Sequence, residues 1–319
     1  MTGPRADGAH RPRAASDPAA PEPAGPAPWR PITVGVPGVE FEARPPRQHV
    51  FDFPDTECDG WSTADLTVRF ASVRGARHRY YSQPRQDAAR AAVHDPTGIV
   101  AFAVADGVSD ATSPELGAAE ACRAAVSRTL HLLNRGPEHL DLHDVVNHAA
   151  RRLWQVARWR SPGREPDPAE VARLYATTLV TGVVRPDPDG PVVALCRIGD
   201  SGAWLLDRPH RRYHPLFHPK TGADTPIVTN EVTPLPHVPD RLDHTGLRLA
   251  RGTALLVGTD GFGDPLGDGD GQVGALFARY LAEPPTPLWL AHVLDFSRET
   301  FDDDRTLLVV WPRSTEARR

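Results

Sequence analysis

Apolar strands that run straight into aspartate constrain this chain more than any other feature. GIVAFAVA (98–105) is followed at once by Asp106 and Gly107, and ALLVGT (254–259) by Asp260 and Gly261. Asp302, Asp303 and Asp304 stand just before a third run, TLLVVW (306–311), and Asp87 follows LTVRFASVRGARHRYYSQPRQ. Asp-Gly alone is a turn dipeptide, and the chain has seven of them. An aspartate at the end of a core strand is different, because its backbone is held rigidly and its side chain is drawn toward the interior. Several such carboxylates meeting there repel one another and lose solvation unless divalent cations neutralise them. An all-oxygen set without His or Cys favours Mg²⁺ or Mn²⁺ over zinc.

The remaining pattern is α+β. Strand-length apolar runs occur at 66–73, 98–106, 176–184, 192–199, 203–207, 254–259 and 306–311. Between them, residues 115–134 are rich in alanine and leucine behind Pro114, and 141–159 carry Leu142, Val145, Val146, Ala149, Leu153 and Val156 on one helical face. Asp141 is placed to cap that helix. Two further helices are expected at 272–282 and 286–300. Hairpin-like strand runs with helices in two groups imply antiparallel sheets covered by helices, not a doubly wound dinucleotide fold.

Residues 1–48 hold 11 of the 34 prolines and few large apolar side chains, so this segment is expected to be largely disordered, with PITVGVP available as a short strand. The folded domain is expected over 49–312, with a tail at 313–319. Acidic residues outnumber basic ones, 41 to 36, for a net charge of −5. No basic block is present of the kind nucleic acid requires, and no apolar run is long enough to span a bilayer. The first residues lack the apolar stretch of a secretory leader, and three widely spaced cysteines, Cys58, Cys122 and Cys196, form no metal or redox motif. These features lead to the expectation of a cytoplasmic protein with ordinary thiols.

Five blocks in order resemble the metal-dependent protein phosphatases of type 2C, over roughly 61–312. They are ASVRGARHRYYSQPRQDA (71–88), VADGVSDATSPELGA (104–118), ATTLV (176–180) with RIGDSGAWLL (197–206), LLVGTDGF (255–262) and DDDRTLLVV (302–310). Gly75, His78 and Gln86-Asp87 resemble a bacterial branch. The resemblance implies a β-sandwich of two antiparallel sheets flanked by helices, with a cleft at one end holding two Mn²⁺ or Mg²⁺ ions. It implies that Asp106 bridges the ions, the Gly107 carbonyl joins one, Asp260 and Asp303 complete the second, and Asp87 is a ligand or accepts a proton from water. The reaction implied is hydrolysis of phosphoserine or phosphothreonine in a phosphoprotein by a water that the two ions activate, opposed by a Ser/Thr kinase.

The chain departs from that family at several positions. Ser82 stands where many members have a phosphate-gripping arginine, which leaves Arg79, Arg85 and His78 as candidates for substrate phosphate. Gln86 replaces a frequent Glu, Ala176 a Gly, Asp304 a frequent Asn, and Arg173 the aspartate of a third ion. A pseudophosphatase, the same fold acting as a binding or sensing module, is the alternative these departures leave open. GDSG (199–202) also occurs as a serine-protease nucleophile segment, but no His and Asp are placed to complete a triad, and its spacing reads as a turn between two strands. GDGDG (267–271) lacks calcium-loop oxygens at Leu266 and Phe277, and the arginines at 151, 152, 158 and 160 fit the solvated face of a helix. Residues 209–250, proline-rich and irregular beside the expected cleft, are a candidate substrate-selecting flap by position alone.

Overall fold

In the computed structural model, which describes residues 29–46, 50–217 and 233–313, the apolar runs pair into two antiparallel sheets. The first holds β1 (Thr56–Ser62), β2 (Leu66–Val73), β7 (Gly202–Asp207), β8 (Arg212–Pro215), β10 (Thr253–Gly258) and β11 (Arg305–Pro312), in the order β1-β2-β11-β10-β7-β8. The second holds β3 (Asp87–His94), β4 (Ile99–Asp106), β5 (Leu179–Arg185), β6 (Val192–Ile198) and β9 (Asp243–Arg248), in chain order. Helices α2 (Pro114–Leu133), α3 (Leu142–Arg160) and α4 (Pro168–Tyr175) cover the second sheet. The first sheet is covered by α5 (Asp260–Leu266), α6 (Gln272–Tyr280) and α7 (Pro287–Leu294), while the short α1 (Ala76–Tyr81) lies between β2 and β3. This is the expected helix–sheet–sheet–helix sandwich.

Covering both faces explains why the strands read as unbroken apolar text instead of alternating. In β4, Val100, Phe102 and Val104 face the other sheet, while Ala101, Ala103 and Ala105 face the helices. Small residues on that outer face let α2 approach, and α2 offers Ala118, Ala121 and Ala125 in return. On the other side Trp204, Phe262, Phe277 and Phe296 form a chain of edge-to-face rings with centroids 5.0 to 6.0 Å apart.

Helix α3 begins where Asp141 accepts a hydrogen bond from the His143 amide, as its sequence implies. The expected helix at 286–300 stops at Leu294, and residues 295–304 run instead as an irregular segment leading to β11. Four strands without a strong sequence signal, β1, β3, β8 and β9, complete the sheets. Pro31 onward forms one compact unit, in which Thr33 bridges Ser297 in parallel and the Arg44 amide donates to the Arg79 carbonyl. Residues 1–28 of the proline-rich segment, 218–232 of the supposed flap and 314–319 of the tail lie outside the described residues. Among the described residues no helix is long and apolar enough to cross a membrane.

Phe102 is fully buried between the sheets. Phe102→Ala is expected to cost about 3–5 kcal/mol, through lost burial and the cavity left behind. Urea denaturation should show a lower midpoint at an unchanged slope.

Candidate metal centre

The ladder between β3 and β4 ends by pairing Asp87 directly with Asp106. Directly paired residues of antiparallel strands point to the same face, with Cβ atoms about 5 Å apart, so two carboxylates are forced together there. Asp260 starts α5 just after β10, and Asp303 lies two residues before the neighbouring β11, on the other sheet from Asp87 and Asp106. Carboxylates from both sheets therefore meet at one end of the sandwich. Asp260 and Asp303 also line a small cleft of ≈ 140 Å³ with Gly261, Asp264 and Thr300.

Burial and mutual repulsion dominate the electrostatics. Burial first, then the charges of Asp304, Asp260 and Asp303, pushes Asp87 well above the usual carboxylate range, against the Thr259 hydroxyl that donates to its Oδ2 at 2.8 Å. Asp106 is raised well above its ordinary value by burial and by Asp87, Asp260 and Asp303. Asp260 is pushed up to about 6, by burial and then by Asp200. The carboxyls of Asp106 and Asp260 lie close enough to influence each other's protonation. Such a set holds protons unless cations replace them, and its all-carboxylate chemistry fits hard divalent ions.

Hydroxyl groups fix the backbone around these acids. The Asp106 amide donates to Thr178 Oγ1 at 2.9 Å, and its carbonyl accepts from the Thr178 amide and the Thr177 hydroxyl. Thr178 is in turn 2.7 Å from Ser201 Oγ. Ser201, the serine of GDSG, is fully buried in this brace, so it is no exposed nucleophile. Gly107 has no room for a side chain: a Cβ there would meet the Pro114 carbonyl oxygen at 2.4 Å.

Asp304 has a different task from its neighbour. It is 3 % exposed, and its two oxygens accept from the Gly75 amide at 2.6 Å and the Gln86 amide at 2.5 Å. His78, buried in α1, brings Nδ1 within 2.9 Å of the same carboxylate. His78, Asp303 and Asp304 are a group whose ligand atoms lie within 4.8 Å of one another. The oxygens of Asp304 are already engaged by main-chain amides, which suits an anchor better than a metal ligand. Burial alone would push His78 down, but the carboxylate of Asp304 at 2.9 Å, with the charges of Asp303 and Asp87, holds it above its ordinary value. His78 is 2 % exposed and lies against Asp304, with neither ring nitrogen meeting hydrogen-bond geometry.

The two arginine candidates are also engaged. Arg79 reaches Asp55 at 3.0 Å and Asp295 at 2.9 Å. Arg85 is 1 % exposed and donates to Ser72 Oγ, the Asp87 carbonyl, the Pro54 carbonyl and Glu57. Both guanidinia are thus engaged by other groups of the chain, Arg79 at the surface and Arg85 in the interior. Ser82 ends α1 in the left-handed conformation, φ 59. Arg77, which the sequence did not single out, is exposed and has no side-chain partner among the described residues, while its amide donates to the Asp302 carbonyl at 2.9 Å. That exposure, next to the Asp302 main chain, is visible only in the folded chain.

The fold is a helix–sheet–sheet–helix sandwich with carboxylates from both sheets at one end, and the comparisons make the assignment specific. Residues 74–295 match the family model described as protein phosphatase 2C. The chain belongs to that family. No curated protein matches its sequence. Its fold is similar to that of the serine/threonine phosphatase of S. agalactiae, at 16% identity and TM-score 0.55, covering 78% of this chain and 100% of that one. It is similar also to a bacterial serine phosphatase, at 16% identity and TM-score 0.52, covering 76% of this chain and 96% of the other.

Two outcomes follow from this geometry. Asp304→Asn turns one acceptor oxygen toward a main-chain amide as an N–H donor, and is expected to destabilise the fold by about 1–3 kcal/mol in urea. In EDTA, the stabilisation that raised carboxyl pKa values provide is present at low pH and lost as pH rises, for Asp260 between 3.8 and about 6. The urea midpoint of the cation-free protein should fall over that interval, and Asp106→Asn should reduce the fall and raise the midpoint above it.

Proposed function

We propose that this chain is a phosphoprotein phosphatase that hydrolyses phosphoserine and phosphothreonine with two bound Mn²⁺ or Mg²⁺ ions. The observation that carries this reading is the meeting of Asp87, Asp106, Asp260 and Asp303 from both sheets at one end of the sandwich, two of them with strongly raised pKa values. Asp106, the Gly107 carbonyl, Asp260 and Asp303 would hold the ions. Bound divalent cations supply Lewis acidity toward phosphate oxygens and lower the pKa of water.

The chain's own groups do the rest. Thr259 occupies Asp87 Oδ2, which leaves Oδ1 to face a cation or to accept a proton from water. Asp303, with its side chain 42% exposed, stands on the solvent side, where a phosphate monoester enters. Arg77 is the guanidinium available to hold phosphate oxygens beside Asp302 and Asp303. A kinase acting on the same targets is implied by the reaction. The pseudophosphatase reading draws its support from the engagement of Arg79 and Arg85 in internal contacts.

The test is hydrolysis of p-nitrophenyl phosphate and of a phosphothreonine peptide, with and without millimolar Mn²⁺. Turnover is expected only with the metal, and should be lost in Asp106→Asn and Asp260→Asn. Arg77→Ala should raise KM about tenfold, the scale of one charge-assisted hydrogen bond. Mn²⁺ binding without turnover of either substrate would overturn the enzyme and favour the binding module.

A further inference from the structure

The loop that leaves Gly107 returns to the fold at Pro114, and the ends of two helices rest on its last residues. The Thr112 amide and hydroxyl both donate to the Arg173 carbonyl, at 2.9 and 3.2 Å, and the Ser113 amide donates to Leu174 at 2.9 Å. From the other side, Arg160 Nη1 donates to Ser113 Oγ at 3.3 Å. Arg160, the last residue of α3, and Arg173, near the end of α4, therefore both flank the return of the loop that carries Gly107.

Their neighbours are already neutralised. Arg151 is paired with Asp144, Arg152 with Glu120, Arg158 with Glu165 and Arg164 with Glu170. Arg160 and Arg173 are exposed and have no carboxylate partner among the described residues. Beyond the end of α3 opens a groove of ≈ 680 Å³ lined by Gln155, Arg158, Trp159, Pro162, Gly163, Arg164 and Glu165, whose one carboxylate, Glu165, is paired with Arg158. Trp159 is 66% exposed there, with the Arg152 guanidinium 4.5 Å from its ring centroid. A large aromatic surface left open beside unneutralised arginines has the composition of a recognition surface, where aromatic and Arg side chains serve as anchors.

We propose that Arg160, Arg173 and the Trp159 groove dock an acidic segment of the phosphoprotein substrate, next to the residue presented to the metal centre. This deepens the phosphatase reading and rests on it for the word substrate. The charge match is direct: two guanidinia without a carboxylate partner bind carboxylates flanking the phosphoresidue, and the Trp159 ring takes an apolar side chain further along the peptide. Exposed ion pairs are individually weak, so the effect is one of preference among substrates and not of turnover.

The experiment has a binding arm and a kinetic arm. In the first, fluorescence anisotropy measures a labelled, unphosphorylated peptide with two aspartates on each side of a threonine, against the same peptide with alanines. The acidic peptide is expected to bind about fivefold tighter, and Arg160→Ala/Arg173→Ala should remove that advantage while leaving the urea midpoint within error. Trp159→Ala should weaken both peptides, and Arg151→Ala neither. In the second arm, the double variant should raise KM for the acidic phosphopeptide without lowering kcat.

Equal affinity for the two peptides in the unmodified protein would overturn the proposal. So would displacement of the acidic peptide by an oligonucleotide of equal charge at equal concentration, which would mark a general polyanion surface. Loss of p-nitrophenyl phosphate turnover in the double variant would place these arginines in the metal centre and overturn it as well. If the unmodified protein turns over no phosphate ester, the phosphatase reading fails, and the anisotropy arm still decides whether the acidic segment docks.

Discussion

Repulsion between Asp87 and Asp106 is the constraint around which the rest of this structure is arranged. The β3–β4 register holds them as directly paired residues, and no rotation of either strand can separate them without breaking the ladder. Asp260 and Asp303 add further negative charge from the other sheet. A chain selected for stability alone would place Asn or Thr at these positions. Retaining acids there costs folding free energy that protons or cations must offset, which links stability, pH and metal binding through the same four side chains.

A second carboxylate makes that crowding geometrically possible. Asp304 draws the Gly75 and Gln86 amides onto its two oxygens, and Gln86 in turn accepts from the Gly107 amide at 3.3 Å. One buried anchor thus ties the start of α1, the entry to β3 and the end of β4 to the segment before β11. Gly75 permits the approach, since a Cβ there would lie 2.2 Å from the Asp303 carbonyl carbon. Thr259 completes the link between sheets, donating to Asp87 while it accepts from the Thr306 amide at 3.1 Å.

The acids were legible in the sequence because strand-terminal Asp-Gly after a long apolar run is a local signal, and the order of five blocks added the family. The architecture was legible for the same reason: strands covered on both faces read as continuous apolar text. What the sequence hid was non-local. β3, with the residues DAARAAVH, has the alanine content of a helix and becomes a strand because β4 pairs with it. β1 is a half-exposed edge strand of polar residues without an apolar run to announce it. Arg79 and Arg85 looked available because their partners, Asp55, Asp295 and Glu57, lie far from them in the chain. Asp304 read in the sequence only as a replacement for a frequent Asn, and its two amide partners reveal the anchor.

The central claim is that the paired acids exist to hold cations, and locating those cations tests it most directly. Crystals soaked in Mn²⁺ and measured at the manganese absorption edge give an anomalous map that does not depend on any assumed ligand. The account predicts two peaks within coordination distance of Asp106, one also touching the Gly107 carbonyl and one shared with Asp260 and Asp303. A single peak at His78, Asp303 and Asp304, or none near Asp106, would contradict it.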